Sequence, residues 1–153
     1  KASTFFQTAQ IRQTLRPLVI SLILCYFWRT MSPAQKTVLV VEDEPDAAEL
    51  FAEMMRVNGF RVVKMFSSTP AIKAIMEEKP DVVILDVMMP DVSGLEVLKF
   101  MRREPELMDI PVIVVSAKSM PSDIRTGMDA GASVYLTKPV GYLELKQAVE
   151  SLT

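Results

Sequence analysis

From residue 37 onward, the hydrophobic positions fall into two alternating kinds of block. The segments "TVLVV" (37–41), "DVVIL" (81–85) and "PVIVV" (111–115) are apolar throughout and rich in β-branched residues. A strand with no polar alternation is buried on both faces, which is the habit of a parallel sheet. "FRVVKMF" (60–66) and "SVYLT" (133–137) are shorter candidates of the same kind. Between these runs the apolar spacing becomes helical. Ala48, Phe51, Ala52 and Met55 stand at i, i+3, i+4 and i+7. Val97, Leu98 and Met101 form a second stripe, and Leu145, Ala148, Val149 and Leu152 a third. Between residues 121 and 152, Ile124 and Met128 give only a thin stripe.

Boundary residues agree with this reading. Pro45, Pro70 and Pro121 suit first helical positions, where a missing N–H costs nothing. Ser93 with Glu96 three residues later forms a capping box. Gly59 suits the left-handed turn that ends a helix. Strand and helix thus alternate five times, which predicts an α/β domain with a parallel sheet and helices on both faces. Crossovers should be right-handed. Ligands of such sheets bind beyond the carboxyl ends of the strands, near the point where strand order reverses.

Composition narrows the chemistry. The 153 residues suit one domain with a sizeable core. No acid precedes Glu42, so the chain from there on sets twelve basic residues against nineteen acids, a net charge of −7. Such a body repels nucleic acid. The single cysteine, Cys25, excludes an internal disulfide framework and suits a reducing cytoplasm. With no histidine, Ser-His catalysis and histidine metal sites are excluded.

The first thirty residues differ from the rest. "LVISLILCYFW" (18–28) follows Arg12 and Arg16, and eleven residues are too few to span a bilayer as a helix. A signal-like segment, a signal anchor and a translated flank are the alternatives. We favour a flank, with residues 1–30 outside the domain, Met31 as the natural start, and a domain over 31–153. A chain opening on Lys1 is itself expected to be a fragment or a processed product.

The strand ends carry the chemistry. Glu42 and Asp43 follow the first strand, Asp86 the third, Ser116 the fourth and Lys138 the fifth. Three carboxylates, a hydroxyl and an ammonium therefore converge on one rim. Clustered carboxylates repel one another, and a divalent cation relieves that. Oxygen ligands alone suit Mg²⁺. A phosphoryl group arriving there would meet a metal, a cation and a hydroxyl donor, the parts its transfer needs. Asp86 would then be the nucleophile. Simpler roles compete at each position. Asp86 alone could be a turn residue, Glu42 and Asp43 helix N-terminal acids, Ser116 an ordinary hydroxyl and Lys138 a solvated amine. Tyr135 alone reads as half-buried packing with a polar tip. The methionines read mostly as core filler.

"VVEDEPD", "ILDVMMPDVSG", "VSAK" and "AGASVYLTKPV" together resemble the receiver domain of two-component response regulators, over about residues 36–152. The resemblance implies a three-layer, doubly wound, flavodoxin-like fold with a five-stranded sheet of order 2-1-3-4-5, an order the chemotaxis receiver illustrates. It implies Asp86 as phosphoacceptor, Asp43 and Asp86 as metal ligands with the Met88 backbone carbonyl, and Glu42 just behind them. It implies Lys138 and Ser116 on the phosphoryl oxygens, Ser116 and Tyr135 as the switch, and a cis bond before Pro139. The expected donor is a sensor histidine kinase or a histidine phosphotransfer protein, docking near residues 47–51. A downstream protein target and a phosphorylation-dependent homodimer are the other implied partners. No direct contact with nucleic acid or membrane is expected of the domain, and no independent substrate turnover. Ser133, Val134, Gly141 and Tyr142 depart from the family's habits and bear on the partner surface.

Three rivals are weighed against it. A haloacid-dehalogenase-type phosphatase needs a second Asp where Met88 stands. A flavodoxin-like cofactor binder needs a Ser/Thr/Gly-rich phosphate loop where "EDEPD" stands. A phosphorylation-independent pseudo-receiver would have lost Asp86 or Lys138, and both are present. The domain could also be cut from a larger transcriptional or hybrid-kinase regulator.

Overall fold

The computed structural model describes residues 35–153. The expectations for residues 1–30 and for a start at Met31 lie outside the described residues. The chain alternates β1 (Thr37–Val41), α1 (Pro45–Val57), β2 (Arg61–Met65), α2 (Ser68–Glu78), β3 (Val82–Asp86), α3 (Gly94–Arg103), β4 (Val112–Ser116), α4 (Pro121–Asp129), β5 (Val134–Thr137) and α5 (Tyr142–Leu152). The sheet runs β2-β1-β3-β4-β5, with every neighbouring pair parallel. This is the doubly wound order expected from the sequence.

The apolar runs explain the layers. Every residue of β1, β3 and β4 is buried, while the edge strands β2 and β5 are mostly half-buried. Successive side chains point to opposite faces, so each central strand feeds two cores. Leu39, Val41, Val83, Leu85, Val112 and Val114 pack with α2 and α3 through Ile75, Leu98 and Met101. Val38, Val40, Val82, Ile84, Ile113 and Val115 pack with α1 and α5 through Phe51, Met55, Leu145 and Val149. At about 1.5–3 kcal/mol per fully buried aliphatic side chain, these clusters hold the layers together.

Helix and strand boundaries follow local chemistry, with three departures from expectation. Pro45 and Pro121 open α1 and α4 as predicted, but α2 begins two residues before Pro70. The reason is a remote cap. The Asp91 carboxylate accepts from the amides of Ser68 (2.9 Å) and Thr69 (3.4 Å), filling the role that the side chain of Ser67 leaves unfilled. Ser93 caps α3, accepting at Oγ from the Leu95 amide at 3.3 Å. The Glu96 amide bonds the Ser93 carbonyl at 2.8 Å, so the pair meets through backbone rather than as a reciprocal side-chain box. The third departure is register: β3 and β4 each end one residue later than their apolar runs, on Asp86 and Ser116. Gly59 takes φ 85° just past α1, as predicted.

Among the described residues, no helix is long and apolar enough to cross a membrane. Helix α4 stands apart, because its only buried residue is Gly127.

Candidate functional site

Parallel strands bring their carboxyl ends to one rim. Glu42 follows β1 directly, and its amide extends the ladder by bonding the Met65 carbonyl at 3.0 Å. Asp86 closes β3, opposite Val115, and Ser116 closes β4, opposite Thr137. The Lys138 amide bonds the Ser116 carbonyl at 2.8 Å, which fixes the chain as it leaves β5. The peptide between Lys138 and Pro139 is cis.

Lys138 joins the rim together. Its Nζ lies 2.7 Å from Asp86 Oδ2, and 3.0 and 2.8 Å from Glu42 Oε1 and Oε2. Glu42 and Asp86 are 2% and 4% exposed. Two buried carboxylates thus share one ammonium. Burial raises the Glu42 pKa above its ordinary value, the Lys138 hydrogen bond opposes this, and the Asp86 charge adds to it. At Lys138 burial disfavours the ammonium, but the hydrogen bonds it donates to Asp86 and Glu42 outweigh this and raise its pKa. The other oxygen of Asp86, Oδ1, accepts from the Met88 amide at 2.8 Å. Asp86 therefore also shapes its own loop, as a turn aspartate does.

Asp43 is the least buried of the acids. One oxygen each from Glu42, Asp43 and Asp86 lie within 4.8 Å of one another. Three carboxylates against one ammonium leave a formal −2, and every donor is oxygen. That donor set fits a hard divalent cation such as Mg²⁺.

Ser116 ends β4, which lies between β3 and β5, and Tyr135 lies within β5. Ser116 is fully buried, and its Oγ accepts from the Lys118 amide at 3.2 Å. That hydroxyl makes no hydrogen bond to the Asp86 carboxylate or the Lys138 amine. The Tyr135 ring is half-buried against the core on the α2–α3 face, and its hydroxyl donates to the Lys118 carbonyl at 2.9 Å. One residue, Lys118, thus holds the Ser116 hydroxyl through its amide and the Tyr135 hydroxyl through its carbonyl.

Two further residues shape the site, and neither stood out in the sequence. A Cβ on Gly94 would overlap the Asp86 carbonyl oxygen and lie 2.9 Å from its carbon. Only glycine lets α3 begin this close to the end of β3. Asp91 ties the loop after Asp86 to the start of α2, and the buried Ser68 hydroxyl completes that tie at the Met89 sulfur (3.6 Å) and the Val92 carbonyl. The glycine was visible inside "PDVSG", but the approach of another segment to it is not a local signal.

Known proteins share this architecture. The chain is 34% identical over 117 residues to the phosphate regulon transcriptional regulatory protein PhoB of Klebsiella pneumoniae, covering 76% of this chain and 51% of PhoB. It is 31% identical over 148 residues to a gliding motility regulatory protein of Myxococcus xanthus, covering 95% of this chain and 18% of that protein. The chain thus spans about half of one relative and under a fifth of the other. Among solved structures, the receiver domain of a Francisella response regulator superposes with TM-score 0.73 at 30% identity, covering 77% of this chain and 96% of that one. The Vibrio cholerae chemotaxis protein CheY4 superposes with TM-score 0.74 at 23% identity, covering 78% and 100%, a likeness of fold. The family model for the response regulator receiver domain matches residues 38–150. Its match takes in all of the sheet but Thr37 and nearly all of the helical layers, and the chain belongs to that family.

Proposed function

We propose that Asp86 accepts a phosphoryl group from a phosphohistidine on a sensor kinase or phosphotransfer protein. The phosphorus–nitrogen bond of the donor breaks, a bond from phosphorus to an Asp86 carboxylate oxygen forms, and the donor keeps its imidazole. The observation that carries this reading is the placement of Lys138, which holds a buried carboxylate at 2.7 Å and stays a quarter exposed. That amine can follow the charge when it moves from Asp86 onto phosphoryl oxygens. Glu42 keeps it in place meanwhile, gripping it through both oxygens. Mg²⁺ held by Asp43, Asp86 and the Met88 carbonyl, with Glu42 behind them, would neutralise the incoming oxygens.

Ser116 then turns its hydroxyl toward the phosphoryl group and releases the Lys118 amide. Lys118 also accepts from Tyr135, so the β4–α4 loop and Tyr135 respond together. The response reaches the surface over residues 121–152, where a downstream protein binds and a homodimer can form. The domain acts in the cytoplasm as a signalling part without turnover of a separate substrate. The donor docks beside α1, around residues 47–51.

Incubation with acetyl phosphate and Mg²⁺ tests this. One phosphoryl group should appear on the intact protein by mass spectrometry and vanish in Asp86→Asn. Equal labelling of the Asp86→Asn protein would overturn the assignment.

A further inference from the structure

Gly127 stands in the middle of α4 and is buried. Glycine is the poorest helix former after proline, and the backbone here is ordinary helix, so conformational freedom does not explain it. Its surroundings do. A Cβ at this position would lie 2.6 Å from Cδ2 and 2.7 Å from Cε2 of Tyr135. Those distances are far inside van der Waals contact. The Cδ2–Cε2 edge of the Tyr135 ring sits in a notch that a missing methyl group creates, and the hydroxyl of that ring reaches the Lys118 carbonyl.

We propose that Gly127 is the seat that admits the inward Tyr135 ring, so the residue at 127 sets how the ring divides between inward and outward positions. The same contact ties α4 to the site, since Gly127 is the one buried position of that helix. A ring leaving the notch removes the packing that holds α4 down. Only the consequence for signalling rests on the reading of Tyr135 as a switch; the ring position itself does not.

The test uses the full chain with 3-fluorotyrosine. Of its three tyrosines, Tyr26, Tyr135 and Tyr142, the Tyr135 resonance is assigned by Tyr135→Phe. Gly127→Ala should move that resonance toward the solvent-exposed shift, changing the inward-to-outward ratio at least about tenfold, as overpacking does. Beryllofluoride should still bind, read from the bound-fluoride signals, while drawing less of the ring inward. In a Tyr135→Leu background, Gly127→Ala should raise Tm rather than lower it, because the helix gains and no ring is displaced. A Tyr135 resonance unmoved by Gly127→Ala, or equal loss of Tm in both backgrounds, overturns the seat. Failure of beryllofluoride to bind the unsubstituted chain instead overturns the phosphoacceptor reading and leaves the seat standing.

Discussion

Helices α1 and α4 begin alike and are anchored differently. Each opens on a proline and carries an aspartate in its first turn, Asp46 or Asp123. Helix α1 then buries Ala48, Phe51, Ala52 and Met55, whereas α4 buries only Gly127. The loop before α1 begins with Glu42, which is clamped to Lys138. The loop before α4 holds on through Lys118, by hydrogen bonds to Ser116 and Tyr135. Both loops leave the same rim, so the charge there is shared and the freedom to respond is not. A helix with four buried side chains moves only at the cost of its core. One seated on a single aromatic ring can shift when the ring does.

The largest effect should come from cutting the clamp on the α1 side. Lys138→Ala leaves Glu42 and Asp86 buried without their cation, a loss of about 3–5 kcal/mol in denaturant unfolding. Added Mg²⁺ should recover more stability in that variant than in the parent, because it supplies the missing positive charge. Next come the helices themselves. Met55→Ala in α1 should cost about 2–5 kcal/mol, and Met128→Ala in α4, 43% exposed, less than about 0.5 kcal/mol. Similar losses at both positions would end the contrast. Hydrogen exchange should then find the α4 amides opening faster than those of α1, and beryllofluoride should alter exchange in α4 and leave α1 unchanged.

The smallest effect concerns the surface of α1. Hydrogen bonds from Lys64 and Arg56 lower the Glu49 pKa from 4.5 to about 2. A carboxyl with a depressed folded pKa adds stability that is complete above its unfolded value. That contribution fades as pH falls from about 4.5 through about 2. Carboxyl-detected NMR should show Glu49 still ionised at pH 3, and Lys64→Ala should raise its midpoint.

Much of this was legible in the sequence. β1 appears exactly where "TVLVV" placed it, because apolar residues on both faces have few alternatives in a domain of this size. The stripes of α1, α3 and α5 became their buried faces, except that Leu152 is only half-buried at the end of the chain. Glu42, Asp43, Asp86 and Lys138 were visible as the residues that follow strands, and the parallel topology brings them together. What escaped depends on other segments. The aspartate that starts α2 early lies 23 residues away from Ser68. The methyl-free notch at Gly127 has meaning only beside Tyr135. Ser116 was readable as a strand-end hydroxyl, but its engagement with Lys118 follows from the loop's path.

Asp86 and Ser116 are residues of the sheet, each opposite a partner on the neighbouring strand, and not passengers on the loops beyond. Their backbones are thus spared whatever happens in those loops. Sequence drift after a strand end can remodel what the surface recognises while the Asp86 and Ser116 backbones keep their alignment. Such a construction lets one unchanging rim carry many different surfaces.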